Sequence, residues 1–283
     1  MEQMFNVSSN PHVRARMTTA KIMQLVVIAL LPAALMGIYN HGLKALAVLV
    51  VSTGSAALAE WLYDHFMHKK NTVKDFSAVV TGLLIGLNMP AGIPLWIPVL
   101  GSIFAIIVVK QLFGGLGQNF INPALAGRAF LLASYPTEMT TWVVPNGLAA
   151  DAATYATPLA QLKNGALDAS LGQLVMGQVG GTIGETCAIA LIIGGIYLLY
   201  KHVISWKIPV IYIATVFILF AVIGRHGMRM PLQEIFAGGV MLGGIFMATD
   251  YASSPVTPKG QIIFAVGAGL LTYLIRTFGG YPE

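Results

Sequence analysis

The sequence predicts an all-α protein that crosses a membrane many times, and two observations lead to this prediction. Hydrophobic residues make up 56% of the 283 residues and charged residues only 10%, whereas a soluble domain usually carries about 25% charged residues. These charged residues are too few to cover a globular surface of this size. Lipid must therefore cover much of it. The apolar residues also form long blocks without strand-type alternation, which favours helices over a membrane barrel.

Charge and cysteine content narrow the function classes further. The net charge is only +5, and the basic residues lie mostly at the ends of apolar blocks. This is typical of topology signals and not of a nucleic-acid surface. Cys187 is the single cysteine, and one thiol cannot form an internal disulfide or ligate an iron–sulfur cluster alone. Residues 1–21 are polar and precede a long apolar run without a cleavage site, which predicts an uncleaved signal anchor.

Nine apolar runs predict membrane-embedded helices, at 22–40, 43–66, 76–89, 95–113, 120–135, 184–201, 207–223, 233–249 and 261–277. A helix needs about 20 residues to cross the hydrocarbon layer. The runs 76–89, 120–135 and 233–249 are shorter, rich in glycine and close to Pro, Asn or Asp. Such runs are typical of half-helices whose ends face a protein-lined cavity.

Two stretches of the chain resemble each other. They close with Phe113-Gly114-Gly115 and Phe278-Gly279-Gly280, and Pro90 and Pro255 lie at equal distances before these endings. Each stretch reads as a short Gly-rich helix, a break with proline and a long helix, which predicts an internal repeat. Chance similarity between Gly-rich apolar segments is the rival explanation. We divide one membrane domain, 1–283, into a first half 1–135, a loop 136–183 and a second half 184–283.

Basic residues in the loops predict the orientation. Arg14, Arg16 and Lys21 place the amino terminus in the cytoplasm. Counting spans from there puts the loop 136–183 outside the cytoplasm and gives the repeat units opposite orientations, as an inverted repeat requires. Arg225 and Arg229 disagree with this count. The second half has no counterpart of the run 120–135, so we expect a tenth helix to be missing from this version of the chain.

The polar segment Asp151-Ala152-Ala153-Thr154-Tyr155-Ala156-Thr157 is the most informative motif. It resembles the D-x-x-[ST]-x-A-T signature at which a flavin transferase joins FMN, through its phosphate, to a threonine hydroxyl, here that of Thr157. A threonine hydroxyl is a poor nucleophile without an activating base, and Lys163 is the closest basic residue in sequence, so a separate modifying enzyme is favoured. Pro158 favours an extended backbone at Thr157, which would present the side chain outward. The alternative is an ordinary loop in which Asp151 and Thr154 cap local turns.

Polar residues beside the broken runs are further candidates. Asp250 follows a short apolar run, and an ionisable residue at membrane depth is by default a functional candidate; the alternative is a cap or a pair with Lys259. Oxygen atoms suited to a hard cation or a flavin ring lie on Thr249, Asp250, Ser253 and Thr257. Asn119, Asn122 and Arg128 surround the break before the fifth run. Arg128 is either a partner for a flavin phosphate or anionic ring, or a topology or capping charge.

Three charged residues are interpreted as mainly structural. We expect Glu60 to be an interfacial residue that extends outward, with a proton relay as the alternative. We expect Lys110 to extend its ammonium group to the cytoplasmic face. Glu185 is expected to open the sixth helix, where a carboxylate favours the positive amino-terminal end.

A combination of motifs makes a family resemblance specific. The motifs are Asn10-Pro11-His12, Gly114-Gly115-Leu116-Gly117-Gln118-Asn119, Asn122-Pro123-Ala124, Met247-Ala248-Thr249-Asp250 with residues 253–261, and Gly279-Gly280-Tyr281-Pro282-Glu283. With the Thr157 segment, they resemble the D subunits of the Rnf electron-transport complex and the related B subunits of the sodium-pumping NADH:quinone reductase. The resemblance covers nearly the whole chain. Tyr155 departs from it, because glycine is common at that place in the flavin signature.

The resemblance implies about ten helices in two inverted halves, similar to urea transporters. It implies covalent FMN on Thr157, and it allows riboflavin as a second, noncovalent flavin. It implies a membrane flavoprotein subunit that carries electrons between ferredoxin and NAD and couples them to Na⁺ or H⁺ transport in the bacterial inner membrane. The implied partners are the A, B, C, E and G subunits of the Rnf complex, membrane lipid and a flavin transferase. The candidate flavin contacts are Asp151, Thr154, Thr157, Arg128, Asn119, Asn122, Thr249 and Asp250.

Two other functions stay open at this point. A quinone-reducing complex would use the same kind of subunit, and we would expect a longer polar amino-terminal extension there than the roughly 20 residues seen here. A passive channel or solute transporter with the same fold would have no need of a flavin acceptor at Thr157. Fold alone does not decide between them.

Overall fold

A computed structural model describes residues 17–143, 145, 157–163, 170–185, 187–223 and 230–281. Its elements, in chain order, are α1 Thr19–His41, α2 Leu43–Phe66, a 3₁₀ turn Val73–Asp75, α3 Ser77–Leu87, α4 Trp96–Ile103 with a π-helical continuation Phe104–Gln111, α5 Pro123–Ser134, α6 Pro136–Met139, α7 Pro158–Lys163, α8 Leu171–Met176, α9 Ala188–Tyr200, α10 Lys207–Val222, α11 Met230–Phe236, α12 Val240–Leu242 with a π-helical continuation Gly243–Met247, and α13 Pro258–Phe278. The described chain contains helices and no strand, so the predicted all-α class is confirmed.

The helices have the length and polarity of membrane spans. The described residues include three helices, α1, α2 and α13, that are long and apolar enough to cross a membrane, and α3, α4, α9 and α10 are shorter apolar helices. Large apolar side chains such as Leu35, Val50 and Ile263 are exposed on their outer faces. A contiguous exposed apolar surface of this extent is unfavourable in water, whereas the hydrocarbon chains of lipid can cover it. The protein is therefore a multi-pass membrane protein, as predicted.

Each predicted apolar run contains a helix, but the run 233–249 is split. Gly238, between α11 and α12, has a φ of +67°, a left-handed conformation that glycine adopts at little cost. A Cβ atom at Gly238 would also collide with the side chain of Leu159. The chain therefore breaks at this point, and α11 and α12 are separate helices joined by a tight turn.

The predicted repeat is visible in the order of elements. In the first half, α3, an irregular segment and α4 follow one another, and α12, an irregular segment and α13 do so in the second half. The π extension of α4 ends beside the turn 201–206, since Lys110 and Val203 line one cleft. By contrast, α13 begins beside this turn, where Ser205 Oγ donates a hydrogen bond to Gln261 Oε1 at 3.3 Å. The two units run in opposite directions, as an inverted repeat requires.

Opposite ends of the helix bundle can be defined from α13. At its end, the side-chain Nζ of Lys163, the last residue of α7, donates to the Gly279 carbonyl at 2.6 Å; we call this the Thr157 end. The start of α13 lies beside the turn 201–206, on the side of the bundle that also contains Asn119. We call this the Asn119 end. At 1.5 Å per residue, the 21 residues of α13 separate the two ends by about 30 Å.

The carboxyl end of α3 is completed by a distant segment. Ile183 N donates to the Met89 carbonyl at 3.0 Å, and Gly184 N donates to the Leu87 carbonyl at 2.7 Å. The last carbonyls of a helix have no partner within it, and bilayer hydrocarbon offers no water to replace one. The segment before α9 therefore supplies the missing donors, as expected for a half-helix that ends inside protein.

Small residues bring α1 and α9 into close contact. Ala29 and Ala33 on α1 and Gly194 on α9 lie at this contact, and an added Cβ at Gly194 would collide with the Ala29 carbonyl and lie 2.9 Å from the Phe246 ring. Helices in lipid associate through such close packing rather than through the hydrophobic effect. This contact joins the first helix of one half to the first helix of the other.

Candidate functional site

Thr157 caps the start of α7 and is not presented outward. Its Oγ1 accepts a hydrogen bond from Ala160 N at 3.2 Å, and its side chain is only 3% exposed. Proline at the first helical position, as at Pro158, suits this geometry because its nitrogen needs no acceptor. The outward presentation predicted from Pro158 is wrong, since the cap turns the hydroxyl toward the helix. Asp151 and Thr154 lie outside the described residues.

A small apolar core holds the Thr157 segment against the helix bundle. Leu159 and Leu162 of α7 pack with Leu174, Val179 and Ala237. Burial of each large aliphatic side chain stabilises such a contact by about 1.5–3 kcal/mol. The helix α7, which Thr157 caps, therefore packs against the end of α11. This contact gives Thr157 a defined position at the Thr157 end.

A cleft at the other end brings four predicted residues together. It is lined by Asn119, Asn122, Thr249 and Asp250 together with apolar side chains, and we call it the Asn119 cleft. Asp250 Oδ2 accepts from Asn119 Nδ2 at 3.3 Å and from Ser253 Oγ at 3.0 Å. The cleft encloses about 80 Å³, within about 740 Å³ of empty space that includes the part open to solvent.

The glycine-rich turn before α5 explains how Asn119 reaches Asp250. Gly114, Gly115 and Gly117 have φ values of +119°, +99° and +86°, which are unfavourable for residues with a Cβ atom. These glycines reverse the chain directly after the π extension of α4. Asn119 is thereby placed opposite the loop that follows the π-helix Gly243–Met247.

Asn122 connects α5 to the second half of the chain, because its side-chain oxygen and nitrogen form hydrogen bonds with different segments. Its Oδ1 accepts from Ala124 N at 2.9 Å and Leu125 N at 3.3 Å, which caps α5. Its Nδ2 donates to the Met247 carbonyl at 3.3 Å. This carbonyl lies at the end of a helix, where it has no partner within the helix.

Two predicted relationships around Asp250 are not formed. Thr257 caps α13 by accepting from Gly260 N at 3.2 Å and is exposed outside the Asn119 cleft. None of the ion pairs between described residues joins Asp250 to Lys259. Asp250 is instead held by the neutral donors Asn119 and Ser253, so its charge is not neutralised by a basic side chain there.

Arg128 lies further along α5 and lines a larger cavity. Its Nη1 donates to Asn88 Oδ1 at 2.7 Å and to Glu185 Oε1 at 3.4 Å. Asn88, Asn122, Arg128 and Arg276 are among the residues that line a cavity of about 710 Å³, which we call the Arg128 cavity. The alternative of a topology or capping charge is wrong, because Arg128 joins the end of α3 to the segment before α9. Glu185 precedes α9 and does not open it.

The predicted flavin contacts therefore do not form one site. Thr157 lies at one end of the bundle, Asn119, Thr249 and Asp250 line the cleft toward the other end, and Asn122 lines both this cleft and the Arg128 cavity. Arg128 lies between them. Thr157 is therefore not among the residues that line the Asn119 cleft.

A buried charged cluster was missed by the sequence interpretation. We call it the Glu60 cluster; it contains Glu60, Asp64, Thr72 and Lys110. Lys110 Nζ donates to both Glu60 oxygens, at 2.8 and 2.9 Å, and to Ser77 Oγ at 2.5 Å. Glu60 is 0% and Lys110 2% exposed, so the predictions of an interfacial Glu60 and an outward Lys110 are wrong. The spacing of Glu60 and Asp64, four residues apart on one helix face, was the available signal.

Taken together, these features define a class: a multi-pass α-helical membrane protein with broken helices and a polar cleft beside them. Residues 6–283 match the sequence model of the NQR2, RnfD, RnfE family. The chain belongs to this family.

Curated relatives are similar over nearly the whole chain. The D subunit of the Na⁺-translocating ferredoxin:NAD⁺ oxidoreductase complex of Acetobacterium woodii is 53% identical over 282 residues, which are 98% of this chain and 86% of that protein. The D subunit of the proton-translocating ferredoxin:NAD⁺ oxidoreductase complex of Clostridium ljungdahlii is 44% identical and covers 100% of this chain and 89% of that protein. The D subunit of the ion-translocating oxidoreductase complex of Erwinia tasmaniensis is 33% identical, with 99% and 91% covered.

Proposed function

We propose that the chain is the D subunit of an Rnf-type ferredoxin:NAD⁺ oxidoreductase complex and carries electrons through FMN bound covalently to Thr157. Electron transfer would be coupled to movement of Na⁺ or H⁺ across the bacterial inner membrane. The observation that carries the proposal is Thr157 within its flavin signature, in a chain 53% identical to the Acetobacterium woodii protein. Flavin links one-electron and two-electron carriers.

The surroundings of Thr157 suit a permanently attached group. Leu159 and Leu162 fix α7 against the bundle, so an ester on Thr157 Oγ1 would hold its group at the Thr157 end. The hydroxyl already serves as a hydrogen-bond acceptor for Ala160 N, a role that an ester oxygen retains in weaker form. Since no described base contacts Thr157 Oγ1, the proposal assigns the attachment to a separate flavin transferase.

The Asn119 cleft is the proposed place for a second, noncovalent flavin such as riboflavin. The amide groups of Asn119 and Asn122 and the carboxylate of Asp250 offer both donors and acceptors, which suits the imide edge of a flavin ring. The enclosed 80 Å³ is below the roughly 300–1,000 Å³ of most small-molecule sites. A ring system would therefore lie partly in the open section of the cleft.

Orientation and partners follow from the same proposal. In this proposal the Asn119 end faces the cytoplasm and the Thr157 end lies outside, which the predicted distribution of basic residues in the loops supports. Electrons would then pass between the A, B, C, E and G subunits of the complex and flavins at the two ends of this chain. Iron–sulfur centres would lie on those partners, because this chain has a single cysteine.

In-gel flavin fluorescence tests the proposal. The wild-type chain, made in cells that contain the transferase, is run on a denaturing gel and viewed under ultraviolet light. We expect a fluorescent band that disappears in Thr157→Ala and persists in Thr157→Ser, which retains a hydroxyl. Thr154→Ala is the matched control within the same segment and should remain fluorescent if the transferase still recognises the site. A dark wild-type band rejects the flavoprotein function.

Enzyme assays separate the two redox complexes that share this family. Membranes with the wild-type chain should reduce NAD⁺ with ferredoxin, and Thr157→Ala should abolish this activity. The names of the relatives favour this reaction over quinone reduction. NADH:quinone reduction that depends on Thr157, without ferredoxin activity, would instead assign the chain to the quinone-reducing complex.

A further inference from the structure

An exposed apolar stripe on α9 ends at the turn 201–206. Ile189, Ile193, Ile196 and Tyr200 are all exposed and follow one another at intervals of three or four residues. Residues at this spacing share one face of a helix. An exposed apolar face on a helix of a membrane protein is a surface for acyl chains of lipid.

A second stripe starts on the other side of the same turn and follows α10. Trp206, Val210 and Ile218 are exposed, and Ala214 between them is exposed as well, so the spacing is four residues throughout. Both α9 and α10 pack against the π-helix Gly243–Met247. The exposed stripes therefore lie on the outside of the bundle, and the turn 201–206 connects their ends.

Positive charge surrounds this turn. Lys201 follows α9 and Lys207 is the first residue of α10; with His202 and Trp206 they form what we call the Lys201 patch. Lys201 and His202 are exposed and Lys207 is half-buried. None of the ion pairs between described residues includes these basic side chains. Residues 186–233 contain no Asp or Glu, so α9, the turn and α10 carry no acidic group that could compensate the two lysines.

The turn that carries the patch is held in place from behind. The Tyr251 hydroxyl donates a hydrogen bond to the Val203 carbonyl, and Val203 itself is buried. Ser205 Oγ donates to Gln261 Oε1 at 3.3 Å. These contacts with the loop after the π-helix and with the start of α13 fix the backbone between the two lysines, so the patch is formed before any ligand binds.

Aromatic side chains place the patch at the depth of lipid headgroups. Tyr200 is 75% and Trp206 58% exposed, and exposed Tyr and Trp at the ends of apolar helices are typical of the membrane–water interface. Lys201 Nζ lies 5.3 Å from the centre of the Tyr200 ring and 5.9 Å from that of Tyr197. These rings attract the ammonium group and keep it directly above the apolar stripe of α9.

We propose that the Lys201 patch binds the headgroup of an anionic phospholipid, such as phosphatidylglycerol, while the acyl chains lie along the stripes of α9 and α10. The ammonium groups of Lys201 and Lys207 donate charge-assisted hydrogen bonds to the phosphate oxygens. A phosphatidylcholine headgroup binds less well, because its own cation compensates its phosphate. A free phosphate ester has the charge but lacks the chains that the stripes would contact. The proposal is independent of either flavin.

Quenching of tryptophan fluorescence by brominated lipids tests the proposal. The full chain is reconstituted into vesicles of phosphatidylglycerol and phosphatidylcholine at several ratios, with one of the two lipids brominated at a time. The difference between the wild type and Trp206→Phe gives the emission of Trp206. Phosphatidylglycerol should quench it more strongly at equal mole fraction. This preference should fall about fivefold for each ammonium group removed, in Lys201→Gln, Lys207→Gln and the double variant.

The double variant Lys70→Gln, Lys74→Gln is the matched control. It removes two exposed lysines from the loop between α2 and α3 and should keep the lipid preference. In the wild type, added NaCl should weaken the preference, because salt screens exposed charges; this measurement needs no lysine variant. Equal quenching of Trp206 by the two lipids in the wild type overturns the proposal, as does an equal loss of preference in both double variants. Loss of the preference on addition of glycerol phosphate would assign the patch to a soluble phosphate ester instead.

Discussion

The side-chain amide of Asn122 donates a hydrogen bond to the main-chain carbonyl of Met247 at 3.3 Å. Asn122 precedes the start of α5 in the first half of the chain. Met247 ends the π-helical continuation of α12 in the second half. The same side chain caps α5 through its oxygen. Asn122 thus connects the two broken helices at the centre of the bundle, next to both the Asn119 cleft and the Arg128 cavity.

Replacement of Asn122 should separate its two roles. Asn122→Ser retains a capping hydroxyl but is too short to reach Met247, so it should lose about 0.5–1.5 kcal/mol. Asn122→Ala loses the cap as well, which should cost about 1 kcal/mol more. Thermal unfolding in detergent measures both changes. A serine variant as stable as the wild type would show that the bond to Met247 contributes nothing.

Removal of Arg128 alone should cost more stability than removal of both charges of the Arg128–Glu185 pair. Arg128→Met leaves the Glu185 carboxylate, 4% exposed, without its cationic partner, and loss of one partner of a buried pair costs about 3–5 kcal/mol. The double variant Arg128→Met, Glu185→Gln removes the charge and should recover part of this loss. The measurement is again thermal unfolding of the purified chain. Equal stability of the single and double variants would contradict an energetic link between the two residues.

Two glycines in apolar helices should respond in opposite directions to alanine. Gly194→Ala forces a Cβ atom against the Ala29 carbonyl at the contact of α1 and α9, which should destabilise by about 1–3 kcal/mol. Gly267→Ala is the matched control on α13, because nothing lies within 4 Å of its Cβ position. It should stabilise by about 0.5–1 kcal/mol. Destabilisation of both variants by the same amount would argue against the specific contact.

Asp250→Asn should separate flavin attachment from ion transport. The substitution lies at the Asn119 end, far from Thr157, so in-gel flavin fluorescence should be unchanged. It removes the carboxylate that Asn119 and Ser253 contact, so ion transport driven by electron transfer should fall. Thr257→Ala, which alters only the cap of α13, is the control. Unchanged ion pumping in Asp250→Asn, measured in membrane vesicles, would remove Asp250 from the mechanism.

Much of the fold was predictable because hydrophobic blocks and helix breakers act locally. The nine apolar runs became helices within a few residues of their predicted ends. The repeat was visible as matching Pro and Phe-Gly-Gly positions, since the same helix breaks need the same residue types. The split at Gly238 was not predicted, because the side chain of Leu159, 79 residues earlier in the chain, occupies the place that a Cβ atom at Gly238 would need.

The sequence pointed to polar residues near the broken helices, but it did not give their arrangement in space. Asn119, Asn122, Thr249 and Asp250 were selected one by one as polar residues near broken helices, and the structure brings them to one cleft. Thr157 was grouped with them, but the direction of α13 places it at the opposite end. Lys110 and Glu60 were interpreted from their positions near helix ends, and a partner 50 residues away reverses this interpretation.

Composition and the long apolar blocks determined that this chain is an all-α membrane protein, because each of these is a property of neighbouring residues. The tertiary structure alone decided which buried charges are paired and which polar residues share a site. A buried charge is stable only beside its counter-ion, and in this protein the counter-ion is supplied by another helix.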